Sequence, residues 1–324
     1  MRMIDFTSVR FRRGRAVFGG CALIVLLSLQ TSGADVSTRE LMRVGYMTDS
    51  FSGIDIEDAK VALELLLDRM MDAHQETYET ETLIYENYED VFSDVQSRKV
   101  DLLSVGSVDF LEIREAFKLW PAVVTTMATT PTYEYVLLVS GEREIRSLAQ
   151  LRGGRINFQK GSSGKVARLW MNTMLLRNAL PESEAFFSTI NSVDKVSRAV
   201  LPVFFGQADA CIVHRNAYAT MIEMNPQLEK RLVVLAESPD FLDSLMCFCE
   251  HVSPQMRKDV WRLSKNVHDD PNGQQILMLF HVKRTMPFRP EYLANIEHLY
   301  QDYLSLKADA QGGLAGAPVH RGAE

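Results

Sequence analysis

From about residue 40 onward the chain alternates between short apolar runs rich in β-branched residues and stretches with helical periodicity. The runs are Met42–Met47, Thr82–Glu86, Asp101–Val105, Ala122–Thr126, Tyr135–Val139, Arg155–Phe158, Phe186–Thr189, Asp209–Val213, Leu232–Ala236 and Leu245–Cys249. Each has the length and composition of a strand. Between them, Ala59, Ala62, Leu63, Leu66, Leu67 and Met70 recur on one helix face behind Asp55, a natural cap. Val166, Leu169, Trp170 and Met174 mark a second face, interrupted by Thr173. Val193, Val196, Val200 and Val203 mark a third, with Pro202 predicting a kink. Such alternation predicts an α/β protein with parallel pairing, and ten strands fit two sheets in two lobes more easily than one open sheet.

The last third is helical in pattern. Ser253-Pro254, Asp270-Pro271 and Arg289-Pro290 each place proline at the first turn of a predicted helix. Residues 307–324 are rich in Gly and Ala without a period, so a disordered tail is expected there.

Charge changes the picture at the N-terminus. The formal charge of the 324 residues is −7, yet the first 34 carry five Arg (Arg2, Arg10, Arg12, Arg13, Arg15) against one acid, Asp5. The remainder, residues 35–324, is therefore at −11. A chain so acidic is a poor partner for nucleic acid, and any anion it binds must be held by local donors. After Arg15 comes a 14-residue apolar stretch, Ala16–Leu29, too short to span a bilayer comfortably, and then Ser32-Gly33-Ala34. This is the pattern of a secretory signal over residues 1–34 with Asp35 as the first mature residue, an uncleaved membrane anchor being the alternative, and it predicts a periplasmic protein.

Three cysteines follow, Cys211, Cys247 and Cys249, an odd number for an oxidising compartment, and spacing leaves open whether Cys211 pairs with either of the others. Cys247, Cys249 and His251 share one face of a predicted strand, but no fourth ligand is spaced nearby, so buried thiols are expected and no metal. Nothing in the sequence asks for a cofactor.

In open α/β sheets ligands gather at the carboxyl ends of strands, so strand-to-helix loops are where chemistry is sought. Lys160-Gly161-Ser162-Ser163-Gly164-Lys165 joins the run Arg155–Phe158 to a predicted helix. Its glycines allow close backbone approach, its hydroxyls can donate, and the helix start favours an anion. It is neither a Walker A loop nor a nucleophile elbow. On spacing alone, serine capping of the helix is the alternative. Gly106-Ser107 and the loop Thr48–Gly53 resemble it, Tyr88 and Tyr133 are aromatics with a hydroxyl able to close on a ligand, and His214-Arg215-Asn216 ends another strand on the same rim. No nucleophile stands beside His214, so a rim hydrogen bond is expected of it rather than catalysis.

At these loops the sequence resembles the phosphonate/phosphate-type substrate-binding proteins of ABC importers, a branch of the type 2 periplasmic binding fold. Ser147–Gly153 looks like the S-L-x-D-L-x-G of that family, Gly161–Gly164 like its S-T-S-G, and Gly206–Ala210 like G-x-A-D-A. Glu237-Ser238-Pro239 looks like its E-S-P, and Asp270–Gly273 like D-P-x-G. The resemblance covers about residues 41–304 and implies a two-lobed Venus-flytrap with two mixed sheets flanked by helices and two crossover segments. It implies lobe 1 from residues 40–132 with 240–306, lobe 2 from 133–239, and hinges near Thr132–Tyr135 and Glu237–Asp240. It also implies an anion at Ser162, Ser163 and Gly164, contacted by Tyr88 and Tyr133. Acids that hold an aminoalkyl group in the family correspond here to Asn216, which is no acid, and to Asp243, while Gln159-Lys160 replaces an acidic lead-in.

The expectation is an exported, non-enzymatic and monomeric binding protein that takes a small oxyanion, phosphonate or phosphate-like, for an ABC permease. A sensory module signalling to a membrane receptor is the alternative. The expected ligand-binding residues are Tyr88, Ser107, Tyr133, Gly161, Ser162, Ser163, Gly164, His214, Asn216 and Asp243.

Overall fold

The computed structural model describes residues 40–51, 54–73, 78–280 and 282–315; the expected signal segment, residues 1–34, lies outside them. The chain opens with β1 (Glu40–Met47), α1 (Ile56–Ala73), β2 (Tyr78–Tyr85), α2 (Tyr88–Gln96), β3 (Leu102–Gly106), α3 (Ser107–Phe117) and β4 (Trp120–Thr126). After β5 (Thr132–Tyr133) come β6 (Tyr135–Ser140), β7 (Arg155–Gln159), α4 (Gly161–Arg177), α5 (Ser183–Phe186), β8 (Thr189–Val193), α6 (Val196–Phe204), β9 (Ala210–His214), α7 (Arg215–Met224), α8 (Gln227–Arg231) and β10 (Leu232–Glu237). The last elements are β11 (Phe241–Leu242), β12 (Ser244–Phe248), α9 (Pro254–Asn266), α10 (Pro271–Leu279), β13 (Arg284–Pro287) and α11 (Glu291–Ala315).

These strands form two mixed sheets. One has six strands in the order β13-β4-β12-β3-β1-β2, the other five in the order β10-β6-β9-β7-β8. β1 is parallel to β2 and β3, whereas β12 runs antiparallel between β3 and β4. The six-stranded sheet thus draws strands from before and after the segment that builds the five-stranded one. The chain crosses at β5 and β11, which pair antiparallel with each other. This is the two-lobed architecture expected from the sequence.

The crossovers are fixed by short-range polar bonds. The Tyr135 N–H donates to Ser238 Oγ at 2.8 Å, and the Ser238 N–H returns a bond to the Tyr135 carbonyl at 3.0 Å. Arg215, at the start of α7, reaches Glu134 at 2.5 Å and also Glu237, so one guanidinium holds both chain crossings. These hydrogen bonds keep its pKa raised, with Glu237 the largest contributor.

Local chemistry explains most boundaries. Asp55 Oδ1 accepts the N–H groups of Glu57 and Asp58, capping α1 as expected. Ser253 and Asp270 cap α9 and α10, each with proline at the first turn. Two expectations need correction. The apolar run Phe186–Thr189 is not a strand: Phe186 ends α5, both Phe186 and Phe187 are buried and stack edge-to-face, and β8 begins only at Thr189. β8 is an edge strand with largely exposed side chains, so it carries no apolar alternation to betray it. The tail expected over 307–324 is helical as far as Ala315, because α11 runs on past Lys307, which pairs with Glu182 and Tyr303. Residues 316–324 lie outside the described residues. Cys211, Cys247 and Cys249 are all free and buried; Cys211 lies in one sheet and Cys247 in the other, and burial pushes the Cys249 thiol up to about 12. His251 is engaged with Asp101 at 3.0 Å, and among the described residues no group of three His, Cys, Asp or Glu side chains is placed to hold a metal ion.

Candidate functional site

The strand-to-helix junctions of both sheets open into one cavity of about 1110 Å³. The start of α4 lines it. Gly161 there has φ +73°, a left-handed conformation that glycine adopts without steric cost. Gly164 is one turn on, where a Cβ would stand 1.8 Å from the Gln159 carbonyl oxygen. Only glycine lets the helix begin so close to the end of β7. The N-cap is Lys160, which makes no side-chain capping bond, so Ser162 and Ser163 fall inside the first turn. Among the described residues neither serine hydroxyl has a hydrogen-bond partner, and both line the cavity. The capping alternative therefore does not describe these serines. Free first-turn N–H groups, two hydroxyls and the positive helix end converge there.

The same cavity is lined by Tyr133, His214 and Asp243, members of a compact aromatic and acidic group at the crossover. Tyr133 stacks on His214 with ring centroids 4.6 Å apart and planes 16° from parallel, while Tyr135 meets the same imidazole edge-on at 4.6 Å. The Tyr135 hydroxyl donates to Asp243 in a short hydrogen bond. His214 Nε2 stands 3.0 Å from the other Asp243 oxygen, but without hydrogen-bond alignment, and this buried nitrogen is otherwise unpartnered. Burial and the neighbouring Asp243 charge raise the Tyr135 pKa, so this phenol stays a proton donor at any physiological pH. The Tyr133 hydroxyl is committed to the Thr126 hydroxyl and the Met127 N–H, each at 3.2 Å. Asn216 Oδ1 accepts from the Ala217 N–H at 2.8 Å, and the residue lines the cavity.

Of the residues expected from sequence, Tyr133, Gly161, Ser162, Ser163, His214, Asn216 and Asp243 line this one cavity. Tyr88, Ser107 and Gly164 do not. Ser107 is fully buried, and its hydroxyl donates to the Leu242 carbonyl at 2.5 Å, so it ties α3 to the crossover and is not open to a ligand. Nor does it cap α3, whose N-cap is Gly106. Tyr88 packs edge-on against Phe117, with Lys165 Nζ 5.9 Å from its ring centroid. Gly164 is buried and acts through backbone approach alone.

The sequence singled out Gln159 and Lys160 as part of the serine loop without expecting them to bind, and it passed over Asp194, Lys195 and Thr220; all five line the cavity. Lys160 Nζ is 3.1 Å from Asp194, and that hydrogen bond is the main reason the Asp194 carboxyl is held below its usual range. The Asp194-Lys195 turn follows β8, whose position the apolar run at 186–189 had disguised. The two lobes also touch directly. Lys165 Nζ, in the first turns of α4, bonds both Asp109 oxygens of α3 at 2.9 and 2.8 Å. A Cβ on Gly106 would meet Ser162 Oγ at 3.0 Å, which shows how near the two helix starts come.

The family described as "ABC transporter, phosphonate, periplasmic substrate-binding protein" matches residues 56–292. The chain is similar in structure to XAC2383 from Xanthomonas citri, bound to chloride ion, with a TM-score of 0.62 at 15% identity, covering 83% of this chain and 99% of that one. It is similar also to a binding protein component of an ABC phosphonate transporter from Pseudomonas aeruginosa, with TM-score 0.59, 14% identity and coverage of 88% and 91%. PhnD1 from Prochlorococcus marinus, in complex with methylphosphonate, aligns with TM-score 0.56 at 16% identity over 81% of this chain and 98% of its own. No curated protein sequence matches the chain. At such identities the structural likenesses establish the fold, and the family match over most of the chain establishes the lineage. The chain belongs to the periplasmic substrate-binding proteins of ABC phosphonate transporters.

Proposed function

We propose that this protein captures a small oxyanion, a phosphonate or a phosphate-like anion, between its lobes and delivers it to an ABC permease. The observation that carries this reading is the start of α4, where two unengaged serine hydroxyls and open helix N–H groups line the interlobe cavity. A helix start supplies both donors and a favourable potential for an anion in a chain that is otherwise acidic. The methylphosphonate held by the Prochlorococcus marinus relative supports the same class of ligand. Lobe 1 is assigned to residues 40–132 with 240–306 and lobe 2 to 133–239, with closure about β5 and β11. His214, beside Asp243, supplies a further donor facing the anion. The Asp243 carboxylate is already turned to Tyr135 and His214, and Asn216 carries no charge. A ligand without an amino group therefore suits the cavity better than 2-aminoethylphosphonate.

Among the described residues neither Ser162 nor Ser163 is hydrogen-bonded to a base, an arrangement that suits transport better than turnover. Thermal melts with methylphosphonate, phosphate, sulfate, methylsulfonate and 2-aminoethylphosphonate test the assignment. A ligand at 100 times its dissociation constant adds about 2.7 kcal/mol to stability. Methylphosphonate or phosphate should raise the melting temperature and 2-aminoethylphosphonate should do so least. No shift with any oxyanion would contradict the proposal.

A further inference from the structure

The cavity does not stop at the oxyanion end. It continues from Ser162 and His214 into lobe 1, between the six-stranded sheet and the helices covering it, where Leu63 and Leu66 of α1, Val260 and Leu263 of α9, Leu277 of α10 and Val44 of β1 wall it. We propose that the ligand is amphiphilic, an oxyanion head carrying an unbranched alkyl chain of several carbons, with the chain lodged in this apolar channel. The inference rests on the oxyanion reading of the serine helix start and adds the nature of what is attached to the anion.

Size is the first argument. A head of about five heavy atoms fills on the order of a tenth of 1110 Å³, given a water's share of roughly 30 Å³. Protein interiors hold few voids larger than a water molecule, and apolar cavities destabilise in proportion to their volume. The cavity as a whole thus has room for far more than the head, and its apolar stretch in lobe 1 is a place for the remaining ligand atoms.

Packing is the second. Leu63, Leu66 and Leu67 are neighbours on one face of α1, yet they belong to three separate apolar clusters. Leu63 sits with Phe51 and Ala59, Leu66 with Val267 and Leu277, and Leu67 with the sheet core. Partly buried side chains bridge these groups, Phe280 between those of Leu63 and Leu66 and Tyr46 between that of Leu63 and the sheet core, and both of these rings line the cavity, which therefore runs along the seams between the groups.

Polarity is the third. Ser264 and Thr285, which line the same part, spend their hydroxyls inside the protein, on the Trp261 and Ser264 carbonyls respectively. Their commitment removes two reasons for water to occupy the channel, and dry apolar cavities take up apolar guests.

The test is titration calorimetry of the intact protein with a series of n-alkylphosphonates from methyl to hexyl. Burial of each methylene should tighten binding about fourfold, or about a thousandfold over five. Leu66→Trp and Leu263→Trp, which put an indole into the channel, should collapse the hexyl-to-methyl affinity ratio toward one; the ratio cancels any general loss of folded protein. Tight methylphosphonate binding with no gain, or a loss, as the chain lengthens would overturn the amphiphile proposal and leave the oxyanion reading standing. Failure of every member of the series to bind would instead overturn the oxyanion reading, and this proposal with it.

Discussion

Two strand-to-helix junctions in this protein look alike as sequence and differ as structure. Gly106-Ser107 follows β3 in one sheet, and Gly161-Ser162-Ser163-Gly164 follows β7 in the other. At the first, the serine hydroxyl is buried and given to the Leu242 carbonyl of the crossover. At the second, both hydroxyls are left open to the interlobe cavity. A serine at a helix start is thus a ligand donor only when no neighbouring backbone carbonyl claims it first. β11 passes beside α3 and supplies such a carbonyl; among the described residues nothing does so at α4.

The largest effect that sharpens this contrast concerns the glycines. Gly164→Ala places a Cβ 1.8 Å from a backbone oxygen that cannot move without unwinding the start of α4. It should cost about 3 kcal/mol or more and lower the melting temperature sharply. Gly106→Ala meets side-chain atoms and no backbone, Asp109 Oδ2 at 2.8 Å, Ser162 Oγ at 3.0 Å and Ser162 Cβ at 3.3 Å, and should cost about 1 kcal/mol. Equal melting temperatures for the two variants would mean that the α4 start is not held by close backbone approach.

Next come the serines themselves. Ser162→Ala with Ser163→Ala removes two hydrogen bonds to an anion worth roughly 1.5–3 kcal/mol each, so affinity for methylphosphonate should fall by about two to four orders of magnitude. Stability should hardly change, because neither hydroxyl is engaged in the protein. Ser107→Ala should show the reverse, losing about 1–3 kcal/mol of stability as the buried Leu242 carbonyl loses its donor, with affinity little altered. Calorimetric titration beside thermal melts reads both quantities. If the two sites respond alike, the distinction drawn from their hydrogen bonding is wrong.

A smaller effect is expected at the contact between lobes. Lys165→Met removes the bonds to Asp109, a partly exposed pair worth roughly 1 kcal/mol or less, and should loosen this contact between the lobes. Small-angle scattering of the ligand-free variant should report a slightly larger radius of gyration than the parent. The smallest effect is electrostatic. Asp194 is held below its ordinary 3.8 by the hydrogen bond from Lys160, so the stabilisation it gives is present above that value and is lost as pH falls through the lower, native one. The difference in melting temperature between the parent and Lys160→Met should be small near neutrality and vanish in strong acid.

Most of the fold was legible in the sequence because burial enforces pattern. The strands at 42–47, 101–105, 135–139 and 209–213 are interior to their sheets and largely buried, and the structure places strands over all four. What escaped was the margin. Edge strand β8 is polar because it faces solvent, so the only apolar signal nearby came from Phe186 and Phe187, which are buried anchors outside any strand. β13 is another edge, and the end of α11 is held by Lys307 on Glu182 and Tyr303 with no apolar stripe to announce it. The site was legible to the extent that it is local. Glycine and serine at the start of α4 follow from the loop itself, whereas the fate of Ser107 depends on a carbonyl 135 residues away. The Asp243–Tyr135 bond, formed across 108 residues, has no local signal either.

The central claim is that the serine-bearing start of α4 holds an oxyanion between the lobes. A crystal structure of the protein with methylphosphonate tests it most directly. The account predicts phosphonate oxygens within hydrogen-bond distance of both the Ser162 and Ser163 hydroxyls and of first-turn N–H groups of α4, with His214 on the opposite side. A phosphonate bound elsewhere, with those two hydroxyls facing only water, would contradict it.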